Sequence, residues 1–339
     1  MLPELAAILT MIGLTAYVVL GGADFGAGFW DLTAGGPERG AALREMIKRS
    51  MSPLWEANHV WLIFVLVILW TAFPEAFGSI TSTLAIPLFL AALGIVLRGG
   101  AFALKGEAAT IAEARALGAT FALSSVLVPF FLGTAAGAVA AGRVPLGNAQ
   151  GEAWGSWTGA LPILVGLLAV VTGAHLAAVF LGADSRRAGR PELVRAFRTR
   201  ALGSGVAAGA LALAGLAVAS SDAPELYDGL GSGAALACVA GSAAAGVITL
   251  VLEWRERFEV ARYTAAAAVG AIVAGWALAQ EPYLLPPDLT VEQAAAPDAT
   301  LAALLIASAL GLALLIPALV WLFRLALSGR LAYEDEPRP

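Results

Sequence analysis

Nine stretches of the chain are each long and apolar enough to cross a lipid bilayer, and no other property so narrows what this sequence can fold into. A hydrocarbon core of roughly 30 Å needs about 20 mostly apolar residues in helical form. Backbone polar groups inside it must be satisfied within the segment itself, which favours helices. The stretches run over residues 5–27, 54–73, 79–102, 117–141, 160–182, 202–220, 233–252, 263–280 and 300–324. They predict an all-α integral membrane protein with little chain left for a water-exposed domain. Composition agrees, with 59% of residues apolar and 13% charged, against about 45–50% and 25% in soluble domains. The first stretch lacks the basic start of a secretory signal and reads as a retained helix. A single cysteine, Cys238, excludes an intrachain disulfide and a thiolate cluster. No metal site is expected on this chain, and nothing in its composition points to nucleic acid.

If the stretches alternate across the membrane, the 20 Lys and Arg residues fall on one side, except for Arg143. A missed or invented span would exchange every later connection between the two faces, so the asymmetry supports the count of nine. By the positive-inside rule the basic face is cytoplasmic, which puts the N-terminus outside and the C-terminus inside. The long basic connection 183–200 separates four spans from the next four. The predicted architecture is therefore two four-helix bundles, over 1–141 and 160–280, plus one peripheral helix at 300–324.

Charged groups inside a span cost about 2.5–3.5 kcal/mol on insertion scales and so mark sites worth explaining. Asp24 lies toward the inner end of the first stretch, and Glu56, Asn58 and His59 open the second from the same side. Glu56 and His59 are three residues apart and share a helix face, whereas Asn58 points elsewhere. Carboxylate and imidazole together can exchange protons with the cytoplasm; the same residues could instead cap and snorkel at a helix start. His175, deep in the fifth stretch, reads as a hydrogen-bonded packing histidine. The glycine-rich run Gly21 to Gly28 is no dinucleotide loop, because it ends a membrane helix without a preceding strand. It allows close helix packing and a helix break, or an irregular backbone beside a polar channel. Trp55, Trp61, Trp70, Trp154 and Trp157 lie near span ends, where interface anchoring is expected.

In several places, and in matching order, these residues resemble the second subunit of cytochrome bd quinol oxidases. The family's signature in the first helix is similar to Gly21–Gly28 at Gly22, Asp24, Gly26 and Gly28. Its Trp-Asp-Gly-Asn-x-Val-Trp-Leu resembles Trp55, Glu56, Ala57, Asn58, His59, Val60, Trp61 and Leu62. Phe73-Pro74, Arg98 and Gly142 to Pro145 resemble further family positions. Two acidic positions of the family differ, being Gly21 and Ala103 here, and the helix-2 Asp is Glu56.

The resemblance implies a larger partner subunit that ligates two haems b and one haem d, with quinol as substrate and dioxygen reduced to water. It further implies a location in a prokaryotic plasma membrane among lipid and quinone, and room for a small accessory subunit. This chain is expected to stabilise the partner and to supply part of a cytoplasmic proton route through Asp24, Glu56 and His59. A secondary transporter and a purely structural scaffold are the competing readings.

Overall fold

The computed structural model describes residues 1–36, 38–51, 55–104 and 109–327; the side chains of residues 51, 55, 56, 323, 326 and 327 lie outside that description. Among the described residues thirteen α-helices follow one another, with one small hairpin near the end. α1 (Leu2–Ala16) passes through a π-helical turn, Tyr17–Gly21, straight into α2 (Gly22–Leu32). These three segments form one membrane span of 31 residues. The glycine-rich run thus does not end the helix, as its composition suggested, because glycines whose backbones are pressed between neighbouring helices lose the freedom that would break it. The irregularity lies one turn earlier, in the π-turn.

α3 (Ala41–Met51) is a short amphipathic helix that buries Leu43, Met46 and Ile47. α4 (Trp55–Ala72) stops before Pro74, whose ring and missing N–H cannot continue a helix. The chain turns by 119° there into α5 (Pro74–Thr83). The end of α4 is closed by the Ala296 N–H, which donates to the Ala72 carbonyl at 2.8 Å. α6 (Ala85–Leu104) is the third span, so the expected start at residue 79 is corrected to residue 85. Residues 79–83 instead belong to α5, where their hydroxyls serve the connection after α7: Ser79 and Ser82 accept from the Gly147 and Ala149 N–H groups.

α7 (Ile111–Ala140) opens with a reciprocal capping box between Thr110 and Glu113. α8 (Ala160–Arg187), α9 (Pro191–Asp222), α11 (Gly233–Trp254) and α12 (Phe258–Gln280) supply four further spans, with a short α10 (Pro224–Leu230) between α9 and α11. β1 (Tyr283–Leu285) and β2 (Leu289–Thr290) form the hairpin, and α13 (Asp298–Leu327) lies against α1 and α4. Among the described residues eight helices satisfy the length and apolarity of a span, and the bent α4–α5 pair makes the ninth.

Several spans extend past their apolar stretch on the basic face, so Arg115, Arg186, Arg195 and Arg200 stand on helical extensions. The two halves of the chain meet where α2 packs on α8, and the Trp30 indole donates to the Ala174 carbonyl at 2.7 Å. Around that seam Leu43, Ile47, Val179, Phe197 and Phe258 share one core cluster. At the opposite face Arg143 pairs with Asp222, whose other oxygen accepts from the Leu161 N–H at 3.0 Å. One carboxylate thereby ties together the ends of α7, α8 and α9 on that face.

Candidate functional site

The first half of the membrane domain buries an arginine. Arg98, on α6, is 2% exposed and Asp24, on α2, is 1% exposed. Arg98 Nη1 donates to Asp24 Oδ2 at 2.7 Å, Nη2 to the Asp24 carbonyl at 3.2 Å, and Nε to Ser125 Oγ on α7 at 2.9 Å. Ser125 in turn donates to the Phe121 carbonyl. The guanidinium also lies between two rings, 4.8 Å from the Phe25 centroid and 4.7 Å from that of Phe121. A flat, delocalised cation suits such a sandwich in a way an ammonium would not. Arg98 is therefore no loop cation. It leaves the set of charges from which sidedness was read and joins the buried machinery instead.

The motif glycines explain how three helices come this close. A Cβ on Gly26 would lie 1.9 Å from the Gly173 carbonyl oxygen of α8, and one on Gly28 would lie 2.1 Å from Ser125 Oγ. Gly26 thus sets the α2–α8 approach, and Gly28 leaves the space from which Ser125 reaches Arg98. Gly22 is less constrained, with its nearest neighbour at 3.7 Å.

The opening turns of α4 complete the cluster. Asn58 is buried and donates from Nδ2 to the Leu20 carbonyl at 3.3 Å. Leu20 lies in the π-turn, where shifted backbone geometry frees carbonyls for other donors. The His59 ring lies 5.8 Å from the Phe25 ring and meets the Tyr17 ring edge-on at 6.3 Å. Trp61 is buried in the same core cluster as Tyr17 and Phe25, and Phe73 is fully buried at the bend before Pro74. The side chains of Trp55 and Glu56 lie outside the described residues.

Two polar atoms of the cluster, Asp24 Oδ1 and the Tyr17 hydroxyl, are buried without a hydrogen-bond partner among the described residues. The structure thus brings Asp24, Asn58, His59 and Arg98 together. It adds Tyr17, Phe25, Phe121 and Ser125, which the sequence reading did not single out. The one available signal for Ser125 was its adjacency to Ser124 in an apolar helix.

The described histidines do not fit haem ligation. His175 Nδ1 is 3.1 Å from the Ala201 carbonyl oxygen, its Nε2 faces Glu253, and Gly205 covers the ring. His59 is packed against two aromatic rings. Among the described residues, no group of three or more His, Cys, Asp or Glu side chains is arranged to hold a metal ion.

Comparison with known proteins follows the same lines. The family model for cytochrome bd terminal oxidase subunit II matches residues 2–326. The chain is similar to the cytochrome bd ubiquinol oxidase subunit 2 of Bacillus subtilis (strain 168), at 28% identity over 132 residues. That match covers 39% of this chain and 38% of the relative, so it spans well under half the relative's length. Among solved structures it is similar to a chain of the bd oxidase from Geobacillus thermodenitrificans, at 26% identity and a TM-score of 0.71. There the superposition covers 96% of this chain and 98% of the other.

Proposed function

The chain belongs to the cytochrome bd terminal oxidase subunit II family, and from that premise we propose that it serves as the second subunit of a complex that oxidises membrane quinol and reduces dioxygen to water. It is a multi-pass protein of the prokaryotic plasma membrane. Its basic face is the cytoplasmic one by the positive-inside rule, with the N-terminus outside. A larger partner subunit ligates the haems, two of b type and one of d type, and a small accessory subunit completes the assembly. The two four-helix bundles and the peripheral α13 are the units from which this chain builds its side of the complex. The secondary-transporter reading has no support from the family.

The observation that carries this reading is that family-motif residues from three separate helices are buried and bonded at one level of the fold: Arg98 pairs with Asp24, and Asn58 donates to the Leu20 carbonyl one turn before Asp24. In this reading Glu56 and His59 take up protons from the basic face and pass them toward Asp24. The cluster also carries a second reading. Because Asp24 is held by Arg98 through both its carboxylate and its carbonyl, it serves equally well as a structural clamp in a subunit that only scaffolds its partner.

Quinol-driven oxygen consumption by the complex, purified through a tag on this chain, tests the function. The reading requires quinol-dependent oxygen uptake, and its absence from a complex with intact haems would overturn it. Glu56→Gln and His59→Gln then separate the two roles of the cluster. A several-fold loss of turnover with assembly intact supports the proton route, and unchanged turnover at saturating quinol supports the scaffold.

A further inference from the structure

The second half of the membrane domain holds an acid that the oxidase reading does not use. Glu253, on the last turn of α11, is wholly buried, and among the described residues neither of its carboxylate oxygens has a hydrogen-bond partner. The nearest basic group is His175 of α8, whose Nε2 lies 3.5 Å from Glu253 Oε1. Three arginines on the adjoining face are engaged by other carboxylates: Arg198 pairs with Glu256, Arg187 with Asp184 and Glu259, and Arg262 with Glu259. None of those pairings reaches the Glu253 carboxylate.

The other ring nitrogen fixes the tautomer. His175 Nδ1 is 3.1 Å from the Ala201 carbonyl oxygen, and a carbonyl can only accept, so Nδ1 carries a hydrogen. Nε2 is left to face Glu253. Without a proton between them, an imidazole lone pair would oppose a carboxylate, and a buried charge would stand uncompensated among apolar side chains. One proton resolves both problems. It sits on Glu253 and is donated to Nε2, or on Nε2 and is donated to the carboxylate, and either state is neutral overall. A small rotation of the carboxyl group brings the two atoms within ordinary hydrogen-bonding distance. The ring is held in place for this, because α9 closes over it at Gly205, where a Cβ would lie 2.8 Å from His175 Cε1.

We propose that His175 and Glu253 form a proton-binding site in the second half of the membrane domain, holding one exchangeable proton between Nε2 and Oε1. Glu253 stands two residues before Arg255 in the basic connection to α12, so the site exchanges its proton with water at that face. A histidine serving only to pack against Ala201 would need no acid opposite its free nitrogen.

Infrared spectra of the purified complex in H2O and D2O test the proposal without requiring turnover, so they remain informative whether or not the complex oxidises quinol. The wild type is expected to show one deuterium-sensitive band that Glu253→Gln lacks: a carboxylic C=O stretch if the proton rests on Glu253, or an imidazolium mode if it rests on His175. Replacing the partner, in His175→Gln, shifts or removes the same band. The isosteric Glu253→Gln leaves room and packing unchanged, and retention of the partner's haem absorbance confirms assembly. If Glu253→Gln fails to assemble, His175→Gln against the wild type decides alone. Superimposable wild-type and variant difference spectra would overturn the proposal, as would a band that His175→Gln leaves in place.

Discussion

Replacing Asp24 by Leu removes the carboxylate that, among the described residues, compensates Arg98, and leaves a guanidinium at 2% exposure with Ser125 and one backbone carbonyl as its described acceptors. Breaking a buried ion pair by removing one partner costs about 3–5 kcal/mol, chiefly because the surviving charge stays uncompensated. Asp24→Asn keeps an acceptor for Nη1 and loses the charge alone, so it should cost less, about 1.5–3 kcal/mol, the range for hydrogen bonds to charged groups. Replacing both partners, as Asp24→Leu with Arg98→Met, removes the orphaned charge and recovers most of the loss. Denaturant titration of the detergent-solubilised complex, read as the midpoint for loss of haem absorbance, gives the four corners of the double-mutant cycle. A midpoint for Asp24→Leu equal to wild type would refute the reasoning, as would a double variant no more stable than the single one. For the same reason Asp24 is a poor place to test proton transfer: any rate lost by Asp24→Asn would be mixed with instability from the broken ion pair.

Gly26→Ala should abolish or sharply reduce recovery of the complex, because a methyl 1.9 Å from a backbone oxygen forces α2 from α8 and overpacking alone costs about 1–3 kcal/mol; Gly22→Ala, measured by the same yield, should be tolerated. Asp222→Asn loosens the Arg143 tie across the ends of α7, α8 and α9. The partners are partly exposed, so the denaturation midpoint should fall by the equivalent of no more than about 1 kcal/mol. A larger drop would mean that the tie holds more of the fold than its two contacts suggest.

The spans were legible in the sequence because they rest on a local quantity, apolar run length. Boundaries were less so: Pro74 bends the chain into α5, and only the geometry around Phe73 shows that residues 79–83 lie outside the third span. The amphipathic α3 was missed because its apolar residues Leu43, Met46 and Ile47 are too few for a membrane run. Arg98 reads as one more basic residue at a helix end. Its pairing with Asp24, 74 positions away in the chain, leaves no local trace, and neither does the sandwich by Phe25 and Phe121. Glu253 fell just beyond the apolar stretch ending at residue 252 and so passed for part of the basic connection, although α11 continues through Trp254 and buries it. Where the sequence singled out residue types that are expensive in lipid, at Asp24, Asn58 and His59, the structure brings them into one cluster; what it could not supply was their partners.

The most direct measurement of the central claim is the visible absorption spectrum, oxidised and dithionite-reduced, of the complex recovered through a tag on this chain, and then of this chain separated from its partner. The account predicts b- and d-type haem bands in the complex and none in the isolated chain. A recovered complex without haem, or haem bands that stay with this chain alone, would contradict it.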